Sequence, residues 1–436
     1  MENKIKVILP EKFDLVVGDT FQLFYRGVVL APNPYVYDIV SISEKGKNFP
    51  RYFEFTPEEE GETELEIFVY DANRNKIGYG KTKLCAIEPK MPSRQLNIMC
   101  VGASNTSKGQ WVCEAYRRLT GSGGNPEGLG FDNVSFVGTC KKGKVGYEGY
   151  GGWAWDTYSS TLFGGVWFVG DHNKENVDQH SLWQDESGNI WKLETIDKGW
   201  LKFLRYNHNE NAPASGKLTH YSNATHKEDI VFGRTTPEKE SPFCNHDTSE
   251  IDFKTYMERN NIDKIDAMYI QLGTNGIDNL ENVTEDLCPR VIKKAKTFVD
   301  IVHAQMPETR VVVMGVMHPS ITGGCGTNYG AVRPYCDVYG VATYTLEMNR
   351  QFEAWTNEEG YKDFMDFVNV SAQFDAENAY PVTEKPVNTR SSKTELIGTN
   401  GVHPTYEGYM QVADAAYRNM VHYLAKINTD LKAEKS

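Results

Sequence analysis

A serine and a histidine occupy positions in the sequence where their side chains could react together. Ser104 follows the apolar run at residues 97–101 and precedes a helical stretch that starts near Lys108. His403 lies in a short polar segment before the last helical pattern of the chain. A serine hydroxyl becomes a nucleophile when a histidine within reach takes its proton. Each residue alone also fits a structural role, Ser104 as a helix N-cap and His403 as a loop or capping residue.

Two further segments could stabilise the negative charge that forms on oxygen during acyl transfer. Gly152 belongs to the glycine-rich stretch 148–155, which follows a predicted strand at 134–138. Asn275 lies in the stretch 271–276, at the end of another apolar run. Backbone N–H groups near glycine and a side-chain amide are the kinds of donor that hold an oxyanion. A flexible turn at Gly152 and an Asx turn at Asn275 are the structural alternatives.

These four residues occur in the order Ser, Gly, Asn, His, and in this order they resemble the motif blocks of the SGNH hydrolases, also called the GDSL esterase/lipase family. The matching segments are Gly102-Ala103-Ser104, with Ala103 where the family usually has Asp, Gly152, Gly273-Thr274-Asn275, and Val402-His403-Pro404 with the following Tyr406-Glu407-Gly408-Tyr409. The resemblance covers about residues 95–430, apart from an insertion. It is strongest to bacterial carbohydrate esterases of this family that carry a β-sandwich in front.

The resemblance implies a serine esterase that works through a covalent acyl-enzyme. Ser104 is then the nucleophile, and His403 takes its proton and returns it to the leaving hydroxyl. The backbone N–H groups of Ser104 and Gly152 and the side-chain amide of Asn275 form the oxyanion hole. The implied substrate is an ester, O-acetyl in the first place, on a carbohydrate or an acetylated polysaccharide. No metal ion and no organic cofactor are expected.

Asn400 departs from the family pattern, which usually has an aspartate three residues before the histidine. An aspartate there orients the imidazole and stabilises the imidazolium, and the same exchange in a serine protease cost ~10⁴ in turnover. Three explanations are open. A carboxylate from elsewhere replaces the aspartate, or the carbonyl of Asn400 or of the backbone orients the ring in a working dyad, or the chain has lost catalysis and kept binding.

Three aromatic residues near Gly152 are candidates for binding the substrate. Trp153, Trp155 and Tyr158 could form a wall on which a sugar ring stacks, and core packing is the alternative. Two other function classes compete with the esterase. One is a non-catalytic carbohydrate-binding or structural protein of a cell surface or a phage particle, which Asn400 favours. The other is a lipase or thioesterase, which needs a continuous apolar groove.

Alternating strands and helices are predicted to position these side chains. Apolar runs predict buried parallel strands at 96–103, 134–139, 265–273, 310–317 and 363–371. Helical spacing of apolar residues predicts helices over 287–305 and 406–426. The pattern predicts an α/β sheet with helices on both sides. The resemblance specifies it as a flavodoxin-like three-layer α/β/α SGNH hydrolase domain.

Strand patterns alone fill residues 1–90, where short runs rich in Val, Ile, Tyr and Phe are separated by turn residues. They predict an immunoglobulin-like β-sandwich as a first domain. The segment 87–95, with two prolines, is the predicted linker to the SGNH hydrolase domain at 95–436. Within that domain, residues of about 160–245 interrupt the alternation and are predicted to be a β-rich insertion.

The charge of the chain argues against some partners. The 436 residues include 46 Lys and Arg against 59 Asp and Glu, which gives a net charge of −13. An acidic surface repels phosphate backbones and anionic lipids, so nucleic acid is not an expected partner. No apolar stretch approaches the ~20 residues of a membrane span, so no membrane insertion is expected. The oligomeric state is open.

The first residues show no apolar segment of the signal-peptide type. The protein is therefore expected to be extracellular, on a cell surface or in a phage particle if a signal was removed or export is non-classical, and cytoplasmic otherwise. The eight cysteines form no C-x-x-C pair, which predicts neither a zinc site nor a disulfide framework. Cys325 and Cys336 could pair in an exported protein.

Overall fold

The computed structural model describes residues 4–160, 165–169, 177–197, 200–206, 213, 215–221, 228–237, 241–245, 248, 250–277, 280–321, 330–331 and 336–433. The chain divides into two compact units. The first unit is Met1–Asp156 together with Met257–Ser436, and the second is Thr157–Tyr256. All four motif segments belong to the first unit.

The described residues form the following strands and α-helices, numbered in chain order. The first strands are β1 Lys6–Val7, β2 Lys12–Val16, β3 Phe21–Phe24, β4 Val29–Leu30, β5 Asp38–Ile42, β6 Lys47–Asn48, β7 Tyr52–Phe55, β8 Gly61–Tyr70, β9 Lys76–Ile87, β10 Leu96–Gly102, β11 Val134–Val137, β12 Cys140–Lys142 and β13 Val145–Gly149. The second unit contains β14 Gly165–Val169, β15 Leu182–Asp185, β16 Ile190–Asp197, β17 Trp200–Tyr206, β18 Gly216–His220, β19 Ile230–Phe232, β20 Arg234–Pro237, β21 Cys244–Asn245 and β22 Glu250–Ile251. The last strands are β23 Ala267–Gln271, β24 Arg310–Met314, β25 Met365–Val368, β26 Val382–Pro386 and β27 Thr394–Gly398. The α-helices are α1 Ser104–Ser107, α2 Gln110–Thr120, α3 Trp155–Tyr158, α4 Phe253–Arg259, α5 Cys288–Gln305, α6 Val338–Thr356 and α7 Tyr406–Ala433.

The sheet that carries the motif segments has seven strands, five of which are parallel in the order β11-β10-β23-β24-β25. Numbered by their place in the chain this is 2-1-3-4-5, the strand order of flavodoxin-like doubly wound sheets. β13 also lies parallel to the end of β10, with Gly102 opposite Gly149. The predictions of the five parallel strands are confirmed.

Both faces of this sheet are buried. On one face Ile98, Cys100 and Tyr269 share a core with Trp111 of α2 and with residues of α7. The neighbouring residue Met99 points to the other face, because successive side chains of a strand alternate, and it is equally buried. There α5 packs on α6, and α6 on β25. α5 and α7 confirm the helices predicted over 287–305 and 406–426.

Residues 6–87 form two main sheets around one apolar core. The sheets have the orders β2-β9-β8-β5 and β3-β7-β6. Leu15, Leu23, Phe53 and Leu84 are among the side chains buried between them. Strands predominate in this region, as predicted, with two short 3-10 helices at Tyr25–Gly27 and Pro34–Val36. Its immunoglobulin type stays a prediction. The boundary between residues 1–90 and 95–436 also stays a prediction.

Charged side chains connect these sheets to the α/β part of the first unit. Asp19, between β2 and β3, accepts hydrogen bonds from Arg118 Nη2 at 2.7 Å and from Arg418 Nε at 2.6 Å. Both arginines are buried. Arg51 donates to both carboxylate oxygens of Asp375, at 2.7 and 3.1 Å. The contact is therefore built from ion pairs as well as from apolar packing.

The second unit contains a seven-stranded antiparallel sheet in the order β19-β18-β15-β16-β17-β14-β20. Its core is aromatic and includes Phe168, Trp183, Trp191, Phe203 and Phe232. The ring of Phe168 lies edge-on to Phe232, with centroids 4.6 Å apart. The described part of this unit is β-rich. The bounds of the predicted insertion, about 160–245, stay a prediction.

Two expectations concern the whole chain. Across the stretches that the structure describes, no helix is long and apolar enough to cross a membrane. Cys336 is an exposed free thiol. Cys325 lies outside the described residues, and so does the predicted pairing of these two cysteines.

Candidate active site

Ser104 lies at the sharp turn between β10 and α1. β10 is bonded to strands on both of its sides, so the position of its end is fixed. The turn requires glycine at position 102, because a Cβ atom there would lie 2.1 Å from Thr106 Oγ1. Ala103 O accepts hydrogen bonds from Thr106 N and Ser107 N, each at 3.0 Å, which starts the helix. Ser104 is thus half-buried beyond the carboxyl end of a parallel strand, where such sheets bind ligands.

His403 is in hydrogen-bond contact with Ser104. Its Nε2 atom lies 2.9 Å from Ser104 Oγ, although the two residues are 299 positions apart in the chain. This is the distance expected between a nucleophile and its base. Burial lowers the pKa of His403 below the ordinary 6.5, and the charge of Lys108 lowers it further. The imidazole is therefore neutral at pH 7, the form that can take a proton.

Backbone hydrogen bonds hold the loop that carries His403. Gly401 O accepts from Ser320 N at 3.2 Å, and Thr405 N donates to Ala379 O at 2.8 Å. At the start of α7, Tyr409 OH donates to Asn105 Oδ1 at 3.0 Å. The loop is therefore connected to the short helix of Ser104.

Asn400 contacts His403 with its amide nitrogen and not with its carbonyl. Asn400 Oδ1 accepts hydrogen bonds from Val402 N at 3.0 Å and from His403 N at 2.8 Å. Because an amide nitrogen cannot accept such bonds, these two donors determine which end of the amide is oxygen. Asn400 Nδ2 therefore faces His403 Nδ1 at 3.3 Å and donates to it. A neutral ring that accepts at Nδ1 carries its proton on Nε2.

This tautomer is the opposite of the one that a serine base needs. With the proton on Nε2, the ring donates to Ser104 Oγ and has no site there for the serine proton. The prediction that a carbonyl of Asn400 orients the ring is wrong, because two backbone N–H groups occupy that carbonyl. Within the described ranges, the hydrogen bonds of the His403 ring go to Asn400 and Ser104, so neither a carboxylate nor a backbone carbonyl there takes the place of the missing aspartate.

Gly152 lies in a turn that packs on the end of β10. Tyr150 N donates to Gly102 O at 3.1 Å, and Trp153 N donates to Tyr150 O at 3.4 Å. Gly152 has a φ of +75°, in the left-handed region that favours glycine. The buried carboxylate of Glu148 accepts from Tyr150 OH at 2.5 Å, which fixes the start of the turn.

Asn275 reaches the same turn from the end of β23. Asn275 Nδ2 donates to Trp153 O at 2.9 Å, and the amide carries a second N–H. The segments of Ser104, Gly152 and Asn275 are therefore connected by hydrogen bonds to one another. The backbone N–H of Ser104, at the start of a helix, is a further donor without an intrahelical acceptor. These are the groups that the sequence suggested for an oxyanion hole.

Trp153, Trp155 and Tyr158 are buried, so the predicted wall for stacking a sugar is wrong. Their exposed fractions are 3%, 1% and 0%. Trp153 stacks on Tyr150 with ring centroids 4.3 Å apart, and Trp155 lies edge-on to Trp355 at 6.3 Å. A ring that packs on protein in this way has no face left for a ligand. These residues contribute to core packing, which was the alternative.

Two residues of α6 hold the motif segments in place and were not predicted. Tyr344 OH donates to Gly273 O at 2.6 Å, next to the segment of Asn275. Asn349 bonds both backbone groups of Val316, with Oδ1 accepting at 2.7 Å and Nδ2 donating at 2.9 Å. Both side chains are buried. Polar residues on the apolar face of a helical pattern are the signal that could have indicated them.

The side chains at the site also determine whether it could hold a metal ion. Among the residues that the structure describes, no group of three or more His, Cys, Asp and Glu side chains could hold a metal ion. The side chains that meet at the site are a hydroxyl, an imidazole and two amides, together with backbone N–H groups. Such a set suits nucleophilic attack on a carbonyl carbon with the oxyanion held by hydrogen bonds.

Comparisons with known proteins give no family match. No family model matches the chain, and neither does any curated protein. Among solved structures, a carbohydrate esterase family 3 protein from Talaromyces cellulolyticus is 12% identical, with a TM-score of 0.35 over 76% of this chain and 99% of that chain. A possible lipase from Chitinophaga pinensis is 11% identical, with a TM-score of 0.31 over the same shares. A family two carbohydrate esterase from Cellvibrio japonicus is 13% identical, with a TM-score of 0.24 over 97% of each chain. Likeness at TM-scores this low does not indicate a function for the chain.

Proposed function

We propose that the chain is a serine hydrolase of the SGNH type that cleaves an ester on a carbohydrate through an acyl-enzyme. The observation that carries the proposal is the 2.9 Å distance from Ser104 Oγ to His403 Nε2, at the end of a central parallel strand. The carbohydrate part rests on the resemblance of the motif segments, for which O-acetyl groups of a polysaccharide are the expected esters.

Each residue of the site has a defined role in this reaction. Ser104 Oγ bonds to the ester carbonyl carbon while its proton passes to His403 Nε2. The bond from that carbon to the leaving oxygen then breaks, and Nε2 returns the proton to this oxygen. Water repeats both steps on the acyl-enzyme and releases the acid. The N–H groups of Ser104 and Gly152 and the amide of Asn275 hold the oxyanion, and losing one such donor typically lowers turnover ~10²–10³-fold.

Asn400 slows this cycle at the proton transfer. Ser104 can give its proton only to the tautomer with Nε2 unprotonated, which the Asn400 amide disfavours. Turning the amide over would break two hydrogen bonds to backbone N–H groups, each worth roughly 1 kcal/mol. We therefore expect a turnover well below that of a site with an aspartate at this position.

Labelling with a serine-directed fluorophosphonate tests the nucleophile. We expect one label per chain, on Ser104, and we expect Ser104→Ala to reduce hydrolysis of p-nitrophenyl acetate to background. Ser135→Ala is the matched control, because Ser135 lies on β11 and its hydroxyl accepts from Gln95 Nε2 at 2.9 Å. A label on another residue, or full activity of Ser104→Ala, would contradict the proposal.

One observation favours a second candidate, a non-catalytic carbohydrate-binding or structural protein on the same scaffold. It is the amide contact of Asn400, which holds His403 in the form that cannot accept the serine proton. For this candidate, Ser104 stays unlabelled and no ester is cleaved, while an acetylated polysaccharide still binds in calorimetry. The two candidates therefore differ in the labelling experiment.

A further inference from the structure

A cavity of about 250 Å³ adjoins the proposed reaction centre. Its lining includes Gly152 and Asn275, the proposed oxyanion donors. Gly401 and Val402, the two residues before His403, also line it. A group bound in this cavity is therefore next to both halves of the site.

The remaining wall of the cavity is mostly apolar. Ile277 follows β23, Val316 and Met317 follow β24, and Val341 lies on α6. The lining residues, all within the described ranges, include none with a charged side chain. The wall also carries a few hydroxyl side chains, such as that of Thr345. They are too few to pair with all the hydroxyl groups of a sugar, which costs free energy, whereas a hydrocarbon group gains from being buried against the apolar part.

The chemistry of ester cleavage indicates which part of the substrate lies in this cavity. The oxyanion forms on the carbonyl oxygen, which the donors at Gly152 and Asn275 hold, and the acyl substituent is bonded to the carbon that carries this oxygen. The sugar oxygen is the leaving group and must instead face His403 Nε2, which returns the proton. The acyl substituent is thus the part of the substrate that suits an apolar cavity lined by the oxyanion donors.

We propose that this cavity binds the acyl group of the ester and that this group is a hydrocarbon larger than acetyl. The inference rests on the proposed function and replaces the expected acetyl group by a larger one. A dry engineered cavity of about 150 Å³ in another protein binds benzene. A cavity of about 250 Å³ is larger than that one and accommodates an acyl group of roughly four to eight carbons.

A series of p-nitrophenyl esters tests the size of the acyl group. Each additional buried methylene favours the longer ester roughly fourfold. The hexanoate has four more methylenes than the acetate, so we expect its kcat/KM to be higher by roughly 100- to 300-fold. Butylboronic acid should likewise bind about tenfold or more tightly than methylboronic acid in calorimetry, which needs no turnover.

Two substitutions that fill the cavity test its location. Val341→Phe and Thr345→Leu should each reduce the ratio of hexanoate to acetate kcat/KM to near one. Thr345 Oγ1 has no hydrogen-bond partner among the described residues, so its replacement breaks no hydrogen bond. Thr343→Leu is the matched control on the same helix, since Thr343 does not line the cavity, and should keep the wild-type ratio.

The outcomes separate this inference from the function on which it rests. A wild-type ratio near one with Ser104 still labelled by the fluorophosphonate overturns the acyl assignment and leaves the hydrolase proposal standing. A ratio that is unchanged in both Val341→Phe and Thr345→Leu overturns it as well. If no ester is cleaved, no boronic acid binds and Ser104 is not labelled, both proposals fail.

Discussion

Asp19 and His403 both lie where distant parts of the chain meet, but their partners differ in charge. Asp19 accepts from two buried guanidinium groups, those of Arg118 and Arg418, at 2.7 and 2.6 Å. His403 has a neutral amide, that of Asn400, at Nδ1 and a hydroxyl, that of Ser104, at Nε2. At Asp19 every partner offsets the charge, whereas at His403 none does among the described residues.

The difference follows from when each charge exists. Asp19 is charged throughout, and moving an unpaired charge out of water costs several kcal/mol, so it needs permanent partners. His403 would become charged only during the reaction, and a site without a carboxylate stays folded but stabilises that charge poorly. Stability and the proposed catalysis therefore depend on different charged groups. Mutations should separate the two properties.

The largest effect is expected for Asn400→Asp. One carboxylate oxygen keeps the hydrogen bonds from Val402 N and His403 N, and the other takes the place of Nδ2, 3.3 Å from His403 Nδ1. The ring then donates from Nδ1, and Nε2 becomes free to accept the Ser104 proton. Turnover of p-nitrophenyl esters should rise by between about 10² and about 10⁴.

Asn388→Asp is the matched control for that substitution. Asn388 is exposed, and its Oδ1 accepts from Arg390 N at 3.0 Å, in an Asx turn similar to that of Asn400. Its replacement by aspartate should leave turnover unchanged. Equal or lower turnover of Asn400→Asp would contradict the tautomer assignment, because it would mean that His403 already has what it needs at Nδ1.

Asp19→Asn should act on stability and not on the chemistry. Two buried arginines lose the carboxylate between them, and removing one partner of a buried ion pair typically costs about 3–5 kcal/mol in the free energy of unfolding. Urea unfolding measures this loss. The kcat/KM of the protein that remains folded should match the wild type, and a large drop would mean that the two regions are coupled.

The pH dependence of this stability has a definite sign. Burial tends to raise the pKa of Asp19, but Arg418 and Arg118 outweigh it, so the pKa lies below the ordinary 3.8. Its contribution is therefore complete above the ordinary value and is lost as pH falls towards the lowered one. The difference between wild type and Asp19→Asn should shrink in that range. Glu59→Gln, which breaks an exposed pair with Lys45, should show no measurable loss at any pH.

Sequence patterns predicted the parts of the molecule that depend on periodicity. Runs such as 310–314 form parallel strands because they are apolar on both faces, and strand ends of such sheets meet at one edge. That rule places Ser104 and Asn275 at one edge, whereas the pairing of Ser104 with His403, which follows no strand of this sheet, was expected from the resemblance of the motif segments. The chemistry of the pair was thus predictable before any distance was known.

The features that the sequence could not predict depend on the orientation of side chains and on partners that are distant in the chain. The orientation of the Asn400 amide is set by two backbone N–H groups, which no residue type reveals. Trp153 and Trp155 could belong to a core or to a ligand site, because either environment would place aromatic residues near the glycine-rich turn. The ion pairs of Asp19 could not be predicted from the sequence, since its partners lie 99 and 399 residues away.

A smaller effect than these is expected on the pH profile of Asn400→Asp. His403 must be neutral to accept a proton, so kcat/KM rises with pH through the pKa of His403. Burial and Lys108 hold that pKa below 6.5 in the wild type, and a new carboxylate at Nδ1 would raise it. The acidic limb of the profile should therefore move to higher pH. An unmoved limb would mean that the new carboxylate does not face the ring.

The smallest effect is expected for Lys108→Gln, and salt separates it from the effect of burial. Lys108 is exposed and lowers the pKa of His403 through its charge, so its removal should move the acidic limb of kcat/KM to higher pH. Salt screens exposed charges, with a screening length of about 10 Å at 0.1 M and about 3 Å at 1 M. Raising the salt concentration should therefore move the wild-type limb in the same direction and leave that of Lys108→Gln in place. Burial is not screened, so both proteins should keep a limb below the ordinary pKa of histidine at high salt.

Lys45→Gln, at an exposed lysine of the N-terminal sheets, is the control and should behave as the wild type. A limb that moves to lower pH with salt, or a Lys108→Gln limb that still responds to it, would show that another charge controls His403.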